Sequence, residues 1–113
     1  MTPVVVRAQI DFPVAVSRES ARKLKPAIIE AFREALSGRI DFTGVQVVTP
    51  SFVDELCRLI EDCAGDSPWV ADLTNMPAEP SSKFMAIARS HHLVLEAAAG
   101  TWALKSRGIA GVR

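Results

Sequence analysis

The first sixteen residues alternate short β-branched runs with turn formers. "PVVVRA" (3–8) predicts a strand, "IDFP" a turn, and "VAV" (14–16) a second short strand able to pair with the first as a hairpin. The period then changes. Through "SRESARKLKPAIIEAFREALSG" apolar residues recur every three or four positions, at Ala21, Leu24, Ile28, Ala31, Phe32 and Ala35, which predicts an amphipathic helix of roughly five turns. Ser17 is placed to cap it, and Glu19 and Glu30 fall along its polar side. Pro26 lacks the backbone amide and predicts a kink, while Gly38 predicts the end.

"RIDFTGVQVV" (39–48) reads as one apolar strand with Gly44 as a bend or bulge. Thr49 precedes a proline, which favours extended geometry, so Thr49 suits the N-cap and Pro50 the first position of a helix. Phe52, Val53, Leu56, Leu59, Ile60 and Cys63 form its apolar stripe, and Gly65 ends it. "PWVADLT" (68–74) predicts the next strand and "NMPAEPSS" (75–82) a loop. Ser81 or Ser82 starts a third helix, with Phe84, Ile87, Ala88, His91, Leu95 and Ala98 on one face and Gly100 as the breaker. "TWALKSRGIAGVR" (101–113) offers a last short strand or packed segment before a loose end. The order β-β-α-β-α-β-α implies one α/β domain over 1–100, a small mixed, mainly parallel sheet flanked by helices, followed by a C-terminal segment. Partners and ligands of such sheets meet the loops at the strand carboxyl ends, where 49–55 lies.

Composition narrows the function. At 113 residues, 49% apolar and 23% charged, the chain has the size and balance of one ordinary globular domain. Thirteen basic residues offset thirteen acidic ones, so no global field draws it to nucleic acid or a membrane. The basic residues of "SRESARKLKP" and "LKSRGIAGVR" read as a solvated helix face and a frayed end. No apolar run approaches the roughly 20 residues of a bilayer span. The N-terminus has neither the basic region nor the cleavage site expected of a signal peptide. Cys57 and Cys63, six apart on one helix, point in different directions and read as reduced core residues, which makes the cytoplasm the expected location.

Candidate chemistry is sparse. His91 and His92 project about 100° apart on a helix and do not share a metal. His91, on the apolar stripe, reads as a packed or partly exposed histidine, and no metal or cofactor is expected. Ser51 lies between Pro50 and Phe52, without the glycine-flanked elbow of a catalytic serine. Asp54 suits helix capping better than orienting a base, so no enzymatic activity is expected. The six glycines are scattered and form no phosphate cradle. Trp69 reads as core or rim, and Trp102 as a cover for one end of the sheet or an exposed docking aromatic.

"DFTGVQVVTPSFVDEL", with Ser17-Arg18 and the amphipathic "ESARKLKPAIIEAF" upstream, resembles STAS-like domains related to the anti-sigma-factor antagonists. The group it is closest to reads "DFxGV…SFxDEL". The motifs cover residues 14–60, and the order of elements extends the match to about residue 98. The resemblance implies helices chiefly on one face of a small mixed sheet. It also implies a non-enzymatic regulatory module that docks on a histidine-kinase-type ATPase or anti-sigma factor. By position, Thr49 falls on the family's aspartate, Pro50 on its first hydroxyl residue and Ser51 on the serine that receives phosphate, while Phe52 replaces a small residue. The docking surface expected on this basis is the helix start at 49–58, with Thr49, Ser51, Asp54, Glu55 and Arg58 as contacts.

A helix start favours a phosphate by roughly 0.3–1 kcal/mol. Asp54 and Glu55 would each oppose one on Ser51 by about 1 kcal/mol at roughly 6 Å. An acidic surface that docks without phosphate is therefore an equal reading. Three further functions stay open: a small-ligand or nucleotide sensor at the strand carboxyl ends, catalysis by Ser51, and homodimerisation through "TWALKSRGIAGV".

Overall fold

The computed structural model describes residues 3–33 and 37–106. In chain order the elements are β1 (Val4–Val5), a 3-10 turn (Val6–Ala8), β2 (Val14–Ala15), α1 (Arg18–Arg22), α2 (Lys25–Phe32), β3 (Ser37–Asp41) and β4 (Val47–Val48). They continue with α3 (Pro50–Ala64), β5 (Val70–Thr74), α4 (Ser82–Ser90), β6 (Leu93–Ala98) and β7 (Thr101–Ser106). The main sheet runs β1-β3-β5-β7-β6, its first three strands parallel and the last two pairings antiparallel. A separate parallel pair joins β2 to β4.

The strand period of two decides what the sheet buries. Val4, Ile40, Leu73 and Trp102 lie side by side across four strands, and Gly38, Ala71 and Leu104 form the next row. All of them are buried, against the α3 stripe and Leu24, Ile28 and Phe32 of the preceding helices. The alternate residues, among them Val5, Arg39, Asp72 and Lys105, keep at least partial exposure. Helix α3 packs against α1, α2 and α4.

Several expectations hold. Ser17 Oγ accepts a bond from Ser20 N at 2.9 Å. Thr49 caps α3, Pro50 takes its first position, and Gly65 closes it in the left-handed region, with φ 63°. Other expectations are corrected. Strands β1 and β2 do not form a hairpin; each pairs in parallel with a strand that follows the first helices. "RIDFTGVQVV" is two strands in two sheets, because Gly44, at φ 81°, turns the chain between them. The expected long helix is broken at Lys23–Leu24 rather than kinked. Pro26 then sits in the first turn of α2, where its missing amide has no bond to lose. Gly38 is not a terminator but a buried residue of β3, and a Cβ there would stand 2.8 Å from Cζ of Phe32. Ala35 and the segment 107–113 lie outside the described residues.

The largest correction is at the C-terminal side. Helix α4 stops at Ser90, and His92 adopts φ 59° just beyond it. Leu95 and Ala98 therefore belong to a strand, and Ala99-Gly100 forms a two-residue turn into β7. Because β7 lies between β5 and β6, residues 101–106 are an inner strand of the sheet, the last short strand expected of this segment.

Candidate functional site

The start of α3 is tied to the start of α1 by one side chain. Thr49 Oγ1 donates to Val16 O at 2.8 Å and accepts from Phe52 N at 3.4 Å, while Thr49 N donates to Ala15 O at 3.0 Å. Ser51, in the first turn of α3, is exposed. The spacings 51, 54, 55 and 58 are i, i+3, i+4 and i+7, so Ser51, Asp54, Glu55 and Arg58 share one face of the helix. Val16, whose carbonyl receives the Thr49 hydroxyl, and Val47, two residues before the cap, are exposed at this helix start, and Phe12 is exposed on the segment leading into β2.

Helix α1 packs beside that face and covers its carboxylates with arginines. Arg18 Nη1 donates to Asp54 Oδ2 at 2.5 Å and stands 3.8 Å from Glu55 Oε1. Arg22 Nε donates to Glu55 Oε2 at 3.3 Å, and Arg58 Nε is 3.9 Å from Glu55 Oε1. The Glu55 side chain is only 5% exposed, against 42% for Arg18 and 59% for both Arg22 and Arg58. Its Oε1 is buried without a hydrogen-bond partner. The acidic surface expected from "DEL" is therefore corrected: the carboxylates are turned inward and guanidinium groups face solvent.

Asp54 does not cap the helix, because Thr49 does. Its second oxygen, Oδ1, lies 2.6 Å from His91 Nε2, and His91 Nδ1 lies 2.8 Å from Glu61 Oε1. Each ring nitrogen faces a carboxylate oxygen, so both bonds form only when both nitrogens carry protons. Burial alone would lower the His91 pKa, but the hydrogen bonds and charges of Asp54 and Glu61 outweigh it and raise the value above the ordinary one. Burial likewise works to raise the Asp54 pKa, and the bonds from His91 and Arg18 with their charges bring it below the usual carboxylate value. The result is one chain of ion pairs, Arg22–Glu55–Arg18–Asp54–His91–Glu61, joining α1, α3 and the end of α4.

At the carboxyl ends of β3 and β5, Asp41 Oδ1 accepts from Thr43 N, Thr43 Oγ1 and Asn75 Nδ2 at 2.9, 2.6 and 2.9 Å. The Thr43 hydroxyl, then Asn75 and the Thr43 amide, hold the Asp41 carboxyl below its usual pKa. Beside β4 is an apolar cavity of about 170 Å³ lined by Val47, Val48, Met76, Pro77, Phe84 and Trp102. Trp102 packs edge-on against Phe84 at 4.8 Å and donates Nε1 to Ala78 O at 3.1 Å. At 2% exposure it covers the sheet end and is not a docking aromatic. Trp69 is core. Among the described residues no group of three or more His, Cys, Asp or Glu side chains is arranged to hold a metal ion. None of their helices is long and apolar enough to cross a membrane.

Sequence reasoning named Thr49, Ser51, Asp54, Glu55 and Arg58, and the structure groups them at one helix start. It missed Arg18, Arg22, Glu61 and the ionic role of His91. The available signal was the i, i+4 spacing of Arg18 and Arg22, which presents two cations on one side of a helix. Nothing local paired them with carboxylates more than thirty residues away. Compared with models of protein families, with curated proteins and with solved structures, the chain matches none.

Proposed function

We propose that this chain is a STAS-like, non-enzymatic regulatory module. It docks on a histidine-kinase-type ATPase or anti-sigma factor through the start of α3, and phosphorylation of Ser51 switches the docking off. The supporting observation is Ser51 itself: an exposed hydroxyl in the first turn of a capped helix whose start also carries exposed Val16 and Val47. A phosphate there adds up to two negative charges at a surface that must be desolvated on docking, which opposes association. The repulsion expected from Asp54 and Glu55 is offset by Arg18, Arg22 and Arg58, so the phosphorylated form is electrostatically tolerable for the fold. Affinity capture from the native host tests this reading. Wild type and Ser51→Ala should recover an ATP-binding-fold protein that Ser51→Asp fails to retain. Recovery of no such protein, or equal retention by Ser51→Asp, overturns it.

A second reading, a small-ligand sensor, draws on the apolar cavity beside β4. Its volume of about 170 Å³ suits a small apolar group rather than a nucleotide. A rise in Tm with a member of a metabolite panel, abolished by Val48→Trp, would favour it.

A further inference from the structure

We propose that strand β6, an edge of the main sheet, pairs with β6 of a second copy of this chain, antiparallel about a two-fold axis, to make one continuous sheet. This goes beyond the docking function proposed above and does not rest on it. The two edges of the sheet are built differently. Strand β1 is two residues long and passes at once into a 3-10 turn, which leaves little edge to add to. Strand β6 runs for six residues, Leu93–Ala98, and contains no proline, glycine or lysine to deter pairing. Its one charged residue, Glu96, accepts from Lys105 of the neighbouring strand at 2.7 Å. The part of "TWALKSRGIAGV" that forms β7 is by contrast already flanked by β5 and β6, so it offers no edge to a second copy.

The hairpin turn sets which backbone groups of β6 face outward. Ala98 and Thr101 stand opposite each other across a two-residue turn, so they exchange both backbone bonds, and every second pair of the ladder does the same. Val94–Lys105 and Glu96–Ala103 are therefore bonded pairs, and Leu93, Leu95 and Ala97 turn N–H and C=O away from β7. The β5 side shows the matching phase: Ser106 N donates to Trp69 O, and Gly100 O accepts from Met76 N. Among the described residues, no backbone group of Leu93, Leu95 or Ala97 meets a partner.

A two-fold contact has to be self-complementary, and this edge is so in one register. Centred on Leu95, an antiparallel copy sets Leu95 against Leu95 and Leu93 against Ala97, and every outward N–H and C=O of the three residues is bonded. On the core face, Leu95 is half-buried and gains the second copy's Leu95 as a neighbour. On the other face, Val94 meets the second copy's Glu96. Centring on Val94 strands Ala97 without a partner. Centring on Glu96 strands Leu93 and sets two like charges face to face. That fit of an edge to its own copy is what favours a second copy over an unrelated strand.

Sedimentation velocity of the full chain over about 1–200 µM tests this, with a dimer expected in the upper part of the range. Val94→Glu sets a carboxylate beside Lys105 of its own chain and opposite the second copy's Glu96, so dimerisation should weaken by about tenfold or more. Adding Glu96→Lys to that variant sets opposite charges across the contact and should restore the dimer, which a contact elsewhere on the chain does not reproduce. Ala97→Pro removes an outward N–H at an exposed position and should abolish the dimer, with circular dichroism confirming the fold. Amide exchange read by NMR on the wild type needs no variant. Between dilute and concentrated samples the amides of Leu93, Leu95 and Ala97 should slow, while those of Val94 and Glu96 should not change. A chain that stays monomeric throughout, a dimer that survives both Val94→Glu and Ala97→Pro, or slowing confined to other amides overturns the inference. So does slowing of these amides only when host lysate is added, which assigns the edge to another protein.

Discussion

Ala99 holds φ at 49° and Gly100 at 83°, so both central residues of the β6–β7 turn occupy the left-handed region. That is the type I′ geometry, which matches the twist of the flanking strands and favours Asn-Gly. An alanine there carries a steric cost of about 1–2 kcal/mol, of which asparagine avoids a large part. Ala99→Asn should therefore stabilise the protein by about 0.5–1 kcal/mol, read as a higher urea midpoint at unchanged m-value. Gly38 presents the opposite case. Its backbone is not strained, but the Phe32 ring occupies the space a side chain would need. Gly38→Ala should cost about 1–3 kcal/mol by overpacking. The double variant Gly38→Ala/Phe32→Leu should lose less than the sum of the two single changes, because each relieves the other.

At the scale of elements, two helix starts that look alike in sequence differ in what their hydroxyls do. Thr49 Oγ1 both caps α3 and bonds Val16 O, whereas Ser81 makes no capping bond to α4. Thr49→Ala should cost about 1–2 kcal/mol and Ser81→Ala a few tenths, measured by equilibrium denaturation. The same contrast explains what was legible beforehand. Helix α3 was read nearly residue for residue, since cap, proline, apolar stripe and terminal glycine all lie within sixteen positions of one another. The β6–β7 hairpin was not. "HHLVLEAAAGTWALK" continues the three-four spacing of α4 through Leu95 and Ala98, and the turn is written with alanine where asparagine would have announced it. The parallel pairing of β1 with β3 was equally hidden, because two-residue strands carry too little alternation to fix their partners. The arginines over Glu55 belong to the same class: only tertiary contact turns a basic stretch and an acidic pair into a buried ion cluster.

For the whole molecule, the ion-pair chain through His91 makes stability depend on pH in two directions. The His91 pKa is raised on folding, so its contribution is complete below the unfolded value and lost as pH rises through the folded one. The Asp54 pKa is lowered, so its contribution is present above the unfolded value of 3.8 and lost as pH falls through the folded one. As pH rises from the unfolded value of 6.5 through the raised folded one, the wild type should therefore lose stability as His91 gives up its proton, and His91→Gln should show a flatter profile. Denaturation across that range checks this, with the His91 ring resonance in NMR titrating above its ordinary value. A profile equally steep in His91→Gln would place the titration elsewhere.

The two cysteines of α3 sit at different depths. Cys57 is fully buried, and its thiol is pushed well above its usual pKa by burial, aided by the Glu61 and Asp54 charges; Cys63 is half-buried. A thiol-specific reagent will therefore reach Cys63 in the native protein but Cys57 only while α3 stands away from the sheet. One labelling time course thus contains its own reference, and the lag of the second thiol behind the first reads out how often the central helix lifts, with no foreign probe attached.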